Sequence, residues 1–447
     1  MKSAKSIASL TLAAVAVSAL AACQMQTLPP GAPVGVRGQA TNSGGLVPGK
    51  VIVKYRAGVR NASAQASSSL SRIGAQRVRT LGSAASGMEV VQIPAGQNVA
   101  AAVQTLEQNP AIEFAEPVFT IPFPKVLREG GNDAGPAPAT YPNDSMFAKQ
   151  YSHRVTNSQA GWELTKGSPR VLIGVVDSGV DVTHPDLRAK IVDTFNSADN
   201  NKDVKDFVGH GTHVAGIASA MTNNGMGVAG VAPECGILAV KVASGDSGYP
   251  STEGIANGVM WAADHGAQVI NLSLGSRQES KAITDAVKYA LSKNVTVVAA
   301  TGNDGGRVMS YPAAVPGVVA VGATDSKDAR ARYSNYGPWV SVTAPGSDIL
   351  STFPLNTNLI GQTEYGQISG TSMATPFVTG LAALIRSKYP TMPQVMVKQV
   401  LESSTDDKGK PGFDEEYGHG RVNVAKALTR AGELSNGGAT GTPPALR

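Results

Sequence analysis

Two hydrophobic textures follow one another along the chain. Between residues 49 and 122 apolar positions alternate over short runs. Lys50–Tyr55 (KVIVKY), Met88–Ile93 (MEVVQI) and Ala111–Glu116 (AIEFAE) read as half-buried strands, with a weaker one at Gln76–Leu81. Asn61–Ile73 and Val99–Gln108 carry their apolar residues at helical spacing. The order βαββαβ is that of a split βαβ unit, a small α+β domain. From about Tyr141 the strands become continuously apolar: Val171–Val176, Gln268–Leu272, Val295–Ala300 and Gly317–Val321, separated by helical stretches that include His210–Met221. Strands apolar on both faces and alternating with helices predict a doubly wound, mainly parallel α/β sheet covered on both sides. Ligands of such sheets bind at the carboxyl ends of the strands, so polar residues there are read for function first.

The flanks carry little pattern. Lys2 and Lys5 precede an apolar run, Ile7–Ala22, that is short for a membrane span and fits an export signal. It ends Leu20-Ala21-Ala22-Cys23, which resembles a bacterial lipoprotein signal with Cys23 as the lipidated residue; plain secretion with cleavage after Ala19-Leu20-Ala21 is the alternative. The divisions are then a leader over 1–22, a Pro/Gly/Ser-rich tether over 23–48, the small domain over 49–122, a second linker over 123–140, the large domain over 141–434 and a tail over 435–447. The other cysteine, Cys235, has no partner and is read as a buried thiol, so disulfides do not hold the fold.

The formal charge of +5 invites a nucleic-acid reading, but its location removes it. Residues 1–140 hold 12 Lys and Arg against 6 Asp and Glu, while the rest hold 26 against 27. A near-neutral large domain without a basic run is a poor nucleic-acid partner. Membrane contact is expected only through a lipidated Cys23, and a monomer is expected.

Four polar residues stand at the ends of apolar elements. Asp177 ends VLIGVVD, Asn303 follows VTVVAATG, His210 opens a helix, and Ser372 lies between a Gly-rich turn and a long apolar helix. Singly, each has a bland role as a cap or turn residue. Together they supply a hydroxyl nucleophile, an imidazole base, a carboxylate to orient the base and an oxyanion donor. A serine at a helix start also brings backbone N–H groups toward a developing oxyanion. The second histidine of His210-Gly-Thr-His213 is three residues on with no glutamate, unlike the H-E-x-x-H of a zinc helix, and is read as packed. A serine esterase would place its serine in G-x-S-x-G, whereas here the context is Gly-Thr-Ser372-Met-Ala.

Asp177-Ser-Gly-Val-Asp181, His210-Gly-Thr-His-Val-Ala-Gly216 and Gly370-Thr-Ser-Met-Ala-Thr-Pro376, with Ala300-Thr-Gly-Asn303 between the last two, resemble the active-site blocks of subtilisin-like serine proteases (subtilases), thermitase-like branch. The resemblance runs from about Asn143 to Leu428. It implies a triad of Asp177, His210 and Ser372, with Asn303 as oxyanion donor. Substrate would lie against Ser273-Leu274-Gly275, with Thr301 and Gly302 as the other wall of the specificity pocket and Ser310 near its floor, where the family often has glycine. Asp304 is placed at the rim, and Phe377 stands where the family usually has histidine. The implied activity is proteolysis of protein and peptide substrates with broad, mainly apolar preference.

Two further implications follow from the same resemblance. The small domain is similar to the family's propeptide, an intramolecular inhibitor and folding aid whose tail, residues Glu113–Pro122, would enter the active site; maturation is expected between about Thr120 and Tyr141. Structural Ca²⁺ is expected on the side chains of Asp144, Asp186 and Asn224 and the carbonyls of Met221, Met226 and Val228. For Asn196, Asp199, Asn201 and Asp203, a second, weaker calcium loop and an ordinary polar turn stay equally open.

Overall fold

The computed structural model describes residues 45–123, 127, 141–244 and 248–437. The leader with Cys23 and nearly all of the 123–140 linker lie outside the described residues. The small domain is built from β1 (Leu46–Tyr55), α1 (Ala62–Gln65), α2 (Ser67–Arg72), β2 (Gln76–Leu81), β3 (Met88–Gln92), α3 (Val99–Glu107) and β4 (Ile112–Phe119). Its sheet runs β2-β3-β1-β4 with every pair antiparallel. The first strand begins at Leu46, inside the stretch read as tether, and the single helix read over Asn61–Ile73 is two short ones.

Period-two alternation sorts the faces of this sheet. Val51, Val53 and Tyr55 of β1 pack under the domain's own helices, while Ile52, Leu81, Met88, Val90 and Phe114 join the core of the large domain. The small sheet is thus apolar on both sides because a second body covers its outer face.

The large domain follows with α4 (Tyr151–Val155), α5 (Ser158–Leu164), β5 (Leu172–Asp177), β6 (Ile191–Asn196), α6 (His210–Ser219), β7 (Gly236–Lys241), α7 (Thr252–Asp264), β8 (Ala267–Leu272), α8 (Lys281–Ser292) and β9 (Thr296–Ala300). It closes with β10 (Val319–Thr324), β11 (Val342–Pro345), the hairpin β12 (Ile349–Thr352) and β13 (Tyr365–Ile368), and α9 (Thr371–Lys388), α10 (Gln394–Ser403) and α11 (Val424–Gly437).

Seven parallel strands run in the order β6-β7-β5-β8-β9-β10-β11. Ile173, Val175, Val269 and Val298 point to the face covered by α6 and α9; Val176, Ile270 and Val297 point to the face covered by α7 and α8. The expected doubly wound α/β architecture is therefore present. Strands β6, β7 and β11 and the hairpin were not predicted: β6 is a partly exposed edge strand, and β7 offers only a short apolar run before Lys241. Helix α9 runs through the core with 16 of its 18 residues buried. A Leu381→Ala cavity there would cost about 2–5 kcal/mol.

After β5 the chain crosses to one side for β6 and β7, then to the other from β8 onward. The carboxyl end of β5 is therefore a topological switch point, and Asp177 is its last residue.

Candidate active site

Asp177, His210 and Ser372 come from the end of β5, the first position of α6 and the first turn of α9. Asp177 Oδ1 lies 2.7 Å from His210 Nδ1, with both side chains buried. Close approach of α6 to β5 requires Gly211, since a Cβ there would stand 2.1 Å from Gly179 O and 3.0 Å from Asp177 Cβ. A carboxylate can only accept, so Nδ1 carries the proton and Nε2 is left as the basic nitrogen. Nε2 is buried without a hydrogen-bond partner. Burial pushes the imidazole pKa down, but the charge and hydrogen bond of Asp177, with Asp206 behind it, raise it above the ordinary histidine value.

Ser372 Oγ donates to Ser273 O at 3.1 Å, and Ser273 Oγ donates back to Ser372 O at 2.8 Å. Asn271 Nδ2 holds Ser273 Oγ (2.9 Å), so the nucleophile candidate is tied to the end of β8. The backbone N–H of Ser372 belongs to the first turn of α9, where helix geometry supplies no acceptor. Asn303 Oδ1 accepts both the Thr371 N–H (2.9 Å) and its hydroxyl (2.8 Å), which fixes the amide with Nδ2 as its donor end.

Glycines shape the pocket beside these groups. A Cβ on Gly275 would meet Ser310 Oγ at 2.5 Å, and one on Gly302, whose φ is +98°, would meet Asn335 Nδ2 at 2.6 Å and Ser310 Cβ at 3.6 Å. Ser310 and Thr301 are buried beside them, whereas the Leu274 side chain turns into the core and leaves only its backbone to the pocket. Asp304 at the rim is paired with Arg277 and accepts from Asn335 Nδ2 (3.2 Å), so its charge is already matched. Phe377 is buried with its ring 5.5 Å from that of His153, in an aromatic cluster with Phe147 and Trp162. His213 is buried, its Nε2 bonded to Ile349 O (3.0 Å) and Gly366 O (3.2 Å); burial lowers its pKa to about 3. It is a packed neutral histidine.

The small domain reaches this site. Thr120 bridges Ser251, Ile121 N–H donates to Pro250 O (2.8 Å), and the Phe123 ring lies 5.2 Å from the His210 ring. Leu127 then pairs with Ser369 through two backbone hydrogen bonds (3.1 and 2.8 Å). Residues Ile112–Phe119, most of the expected tail, are instead the edge strand β4, and the segment that enters the cleft starts at Thr120. The Pro250–Ser251 wall and Asp206 were not singled out from sequence. Asp206 could have been found as the acid four residues before His210; nothing in GYPST marks Pro250–Ser251 as a strand partner.

Around the expected calcium ligands, the 221–228 loop wraps two buried acids. Asp186 accepts from Asn224 Nδ2 (2.7 Å), Val228 N–H (3.0 Å) and Tyr365 OH (3.0 Å). Asp144 Oδ2 accepts the Asn223 N–H (2.8 Å), while its Oδ1 is buried without a partner. Burial, and the charge of Asp186 nearby, raise the Asp144 pKa. Two adjoining buried carboxylates with an orphaned oxygen fit an oxygen-seeking cation. Among the described residues no three His, Cys, Asp or Glu converge as a metal-binding group, so most ligands would be amide and carbonyl oxygens. In the other loop, Asn196 Oδ1 accepts the N–H groups of Ala198 and Asp199 (both 3.1 Å), Asn201 Oδ1 that of Asp203 (2.8 Å), and Asp203 Oδ1 that of Lys205 (3.0 Å). These are turn contacts.

Comparison with known proteins agrees with the geometry. Residues 168–420 match the model of the subtilase family, and residues 34–117 match that of the fervidolysin N-terminal prodomain. The chain is 40% identical over 387 residues to a thermophilic serine proteinase of Bacillus sp. (strain AK1), covering 86% of this chain and 88% of that one. It is 41% identical over 288 residues to thermitase of Thermoactinomyces vulgaris, covering 64% and 99%. Among solved structures, fervidolysin from Fervidobacterium pennivorans, a keratinolytic enzyme related to subtilisin, superposes with a TM-score of 0.76 at 27% identity; the match covers 88% of this chain and 62% of that one. A serine-bearing helix, a buried Asp–His pair at the sheet's switch point and a small domain of prodomain type therefore have one explanation: the chain belongs to the subtilase family and is a subtilisin-like serine protease preceded by a fervidolysin-type prodomain.

Proposed function

We propose that the protein is an exported endopeptidase made as a zymogen, in which residues 49–122 form the inhibitory propeptide and residues 141–434 the enzyme. The single observation that carries this is where its own chain makes contact: Thr120 and Ile121 pair with Ser251 and Pro250, Phe123 lies against His210, and Leu127 pairs with Ser369, three residues before Ser372. A segment so placed is a substrate surrogate, and the bond cut in maturation lies between Phe123 and Leu127. In the reaction Ser372 Oγ leaves Ser273 O, gives its proton to His210 Nε2 and attacks the peptide carbonyl. Asp177 holds the imidazole tautomer and stabilises the imidazolium. The Ser372 N–H and Asn303 Nδ2 receive the oxyanion, and His210 returns the proton to the leaving amine.

Substrate lies extended between Ser273–Gly275 and Pro250–Ser251, pairing by its main chain, which makes recognition tolerant of sequence. Matched charge on Asp304 and a pocket of Gly275, Thr301, Gly302 and Ser310 favour a large apolar residue before the cut bond. Calcium on Asp144, Asp186, Asn224 and the 221–228 carbonyls would clamp the start of the mature domain to the loop after α6. The Asn196–Asp203 loop is read as a turn. The enzyme is monomeric, touches no nucleic acid, and meets a membrane only if Cys23 is lipidated.

Ser372→Ala tests the reading. The variant should accumulate as full-length proprotein, and wild type should yield a fragment beginning within residues 124–127. Normal maturation of purified Ser372→Ala, or a sulfonyl fluoride label elsewhere than Ser372, would overturn it.

A further inference from the structure

Asp206 lies outside the groups assigned so far, four residues before His210. Its buried carboxylate faces five donors. Oδ1 accepts from Ser178 Oγ (2.8 Å), Val208 N–H (3.1 Å) and Gly209 N–H (2.8 Å); Oδ2 accepts from Thr212 N–H (2.9 Å) and Thr212 Oγ1 (2.7 Å). The two hydroxyls have their own donors to serve: Ser178 Oγ accepts Gly211 N–H (2.9 Å) and Thr212 Oγ1 accepts Asp181 N–H (3.0 Å). Their protons therefore point at Asp206; burial raises its pKa, and these five donors, with no acceptor among them, work against burial in favour of the anion.

These contacts brace the Asp–His pair from both ends. Gly209 and Thr212 flank His210 at the start of α6. Ser178 follows Asp177, and its N–H donates to Asp177 Oδ1 at 2.7 Å, the oxygen that also receives His210 Nδ1. The carboxylate that touches the base is lightly held, since Asp177 Oδ2 is buried with no partner. The one behind it is saturated. Bracing falls to Asp206, which leaves the Asp177 charge for the imidazole.

We propose that Asp206 is a positioning residue for His210: it fixes the start of α6 against the end of β5, and it supplies a second buried negative charge that stabilises the imidazolium formed during acyl transfer. The other ionisable groups facing His210 are Asp177 on β5 and His213 one turn along α6. The nearby lysines, Lys205 and Lys241, lie over the Phe207 ring, and Lys241 Nζ donates to Lys205 O (2.9 Å). Burial lowers the His210 pKa, and Asp206 is among the groups that raise it, after the charge and the hydrogen bond of Asp177. The inference rests on His210 being the base, as proposed above.

The test uses Asp206→Asn and Ser178→Ala in the full chain, matured by a trace of wild-type enzyme where self-processing is slow. The rate of sulfonyl fluoride inactivation and kcat/KM are followed from pH 5 to 9. Asp206→Asn should move the acid limb to lower pH and lower the plateau by about 10²-fold through kcat, the scale of a small misplacement of a reacting group, with KM unchanged. Ser178→Ala should lower the plateau and leave the limb in place. An unmoved acid limb in folded Asp206→Asn overturns the inference, as does a wild-type plateau in Ser178→Ala, which loses the brace even if Asp206→Asn does not fold. Failure of the parent reading shows differently, as undiminished activity in His210→Ala.

Discussion

Removing the Glu116 carboxylate is expected to loosen the prodomain from the protease by one to three orders of magnitude. Glu116 sits on β4, mostly buried, and receives three donors from the start of α8: Ser280 Oγ (2.6 Å), Lys281 N–H (2.8 Å) and Ala282 N–H (3.1 Å). The two N–H groups belong to a first turn that has no acceptors of its own, so the prodomain completes a cap that Ser280 alone leaves unfinished. Hydrogen bonds to a charged group contribute roughly 1.5–3 kcal/mol each, and the helix dipole adds up to about 1 kcal/mol. Burial opposes them and raises the Glu116 pKa, so the three do not add in full. A net loss of about 2–4 kcal/mol corresponds to inhibition about 30- to 1,000-fold weaker. The assay is the inhibition constant of added prodomain, Glu116→Ala against wild type, on the mature enzyme with a peptide anilide. Circular dichroism checks the prodomain fold, whose own core lies under α1–α3. Glu113→Ala, an exposed acid on the same strand, is the control and should change nothing. If both variants inhibit within threefold of wild type, the cap contributes nothing to docking and the reasoning fails.

Asn303→Ala should lower kcat by roughly 10²–10³ with little change in KM, because its donor meets the oxyanion rather than the ground-state carbonyl; a rise in KM alone would refute this. With His210 as the proposed base, acting in its neutral form and with its pKa raised, the rate should fall as pH drops through a value above that of ordinary histidine; an acid limb at or below the ordinary value contradicts the Asp177 pairing. Buried His153 and His213 have pKa values lowered to about 4 and about 3. The unfolded chain takes up two protons below about pH 6.5 that the native state refuses. Stability should therefore fall as pH drops from there toward 4, and flat melting of Ser372→Ala over pH 6.5–4.5 would count against it. Chelation should lower the thermal midpoint while leaving initial rates intact, and Asp186→Ala should abolish any calcium dependence; identical melts at every calcium level would remove the site.

Legibility in the sequence tracked burial and period. β5, β8, β9 and β10 are central strands, apolar on both faces, and showed as continuous runs. β6 stayed hidden because an edge strand alternates Val192 and Asp193 with half-buried neighbours and reads as loop. The residues proposed to react stood out because each lies where an apolar element begins or ends. Asp206 was passed over: its spacing of four from His210 was there to see, but a loop acid looks the same in sequence whether it is solvated or gathers five buried donors. The cleft segment was misplaced by several residues for a related reason: Ile112–Phe119 keeps its strand pattern throughout, and no sequence signal marks where pairing with β1 gives way to pairing with Pro250.

The prodomain contacts follow from the same geometry that makes the active site. A parallel sheet wound with helices leaves helix N-termini at the carboxyl ends of its strands, each with donors that its own turns cannot satisfy. At α9 the Thr371 N–H is taken by Asn303 Oδ1, and the Ser372 N–H is the proposed oxyanion donor. At α8 such donors are closed by Glu116 from the prodomain. At α7 the pattern is inverted: Glu253 in the first turn, buried, takes Lys50 (2.8 Å) and Arg79 (3.0 Å) of the prodomain. Once the prodomain leaves, Glu253 loses these two cations and α8 loses the part of its cap that Glu116 supplies, keeping only the bond from Ile283 N–H to Ser280 Oγ. Docking, inhibition and catalysis thus draw on one structural resource, and any change that recaps α8 from within the protease domain should weaken the prodomain without touching kcat.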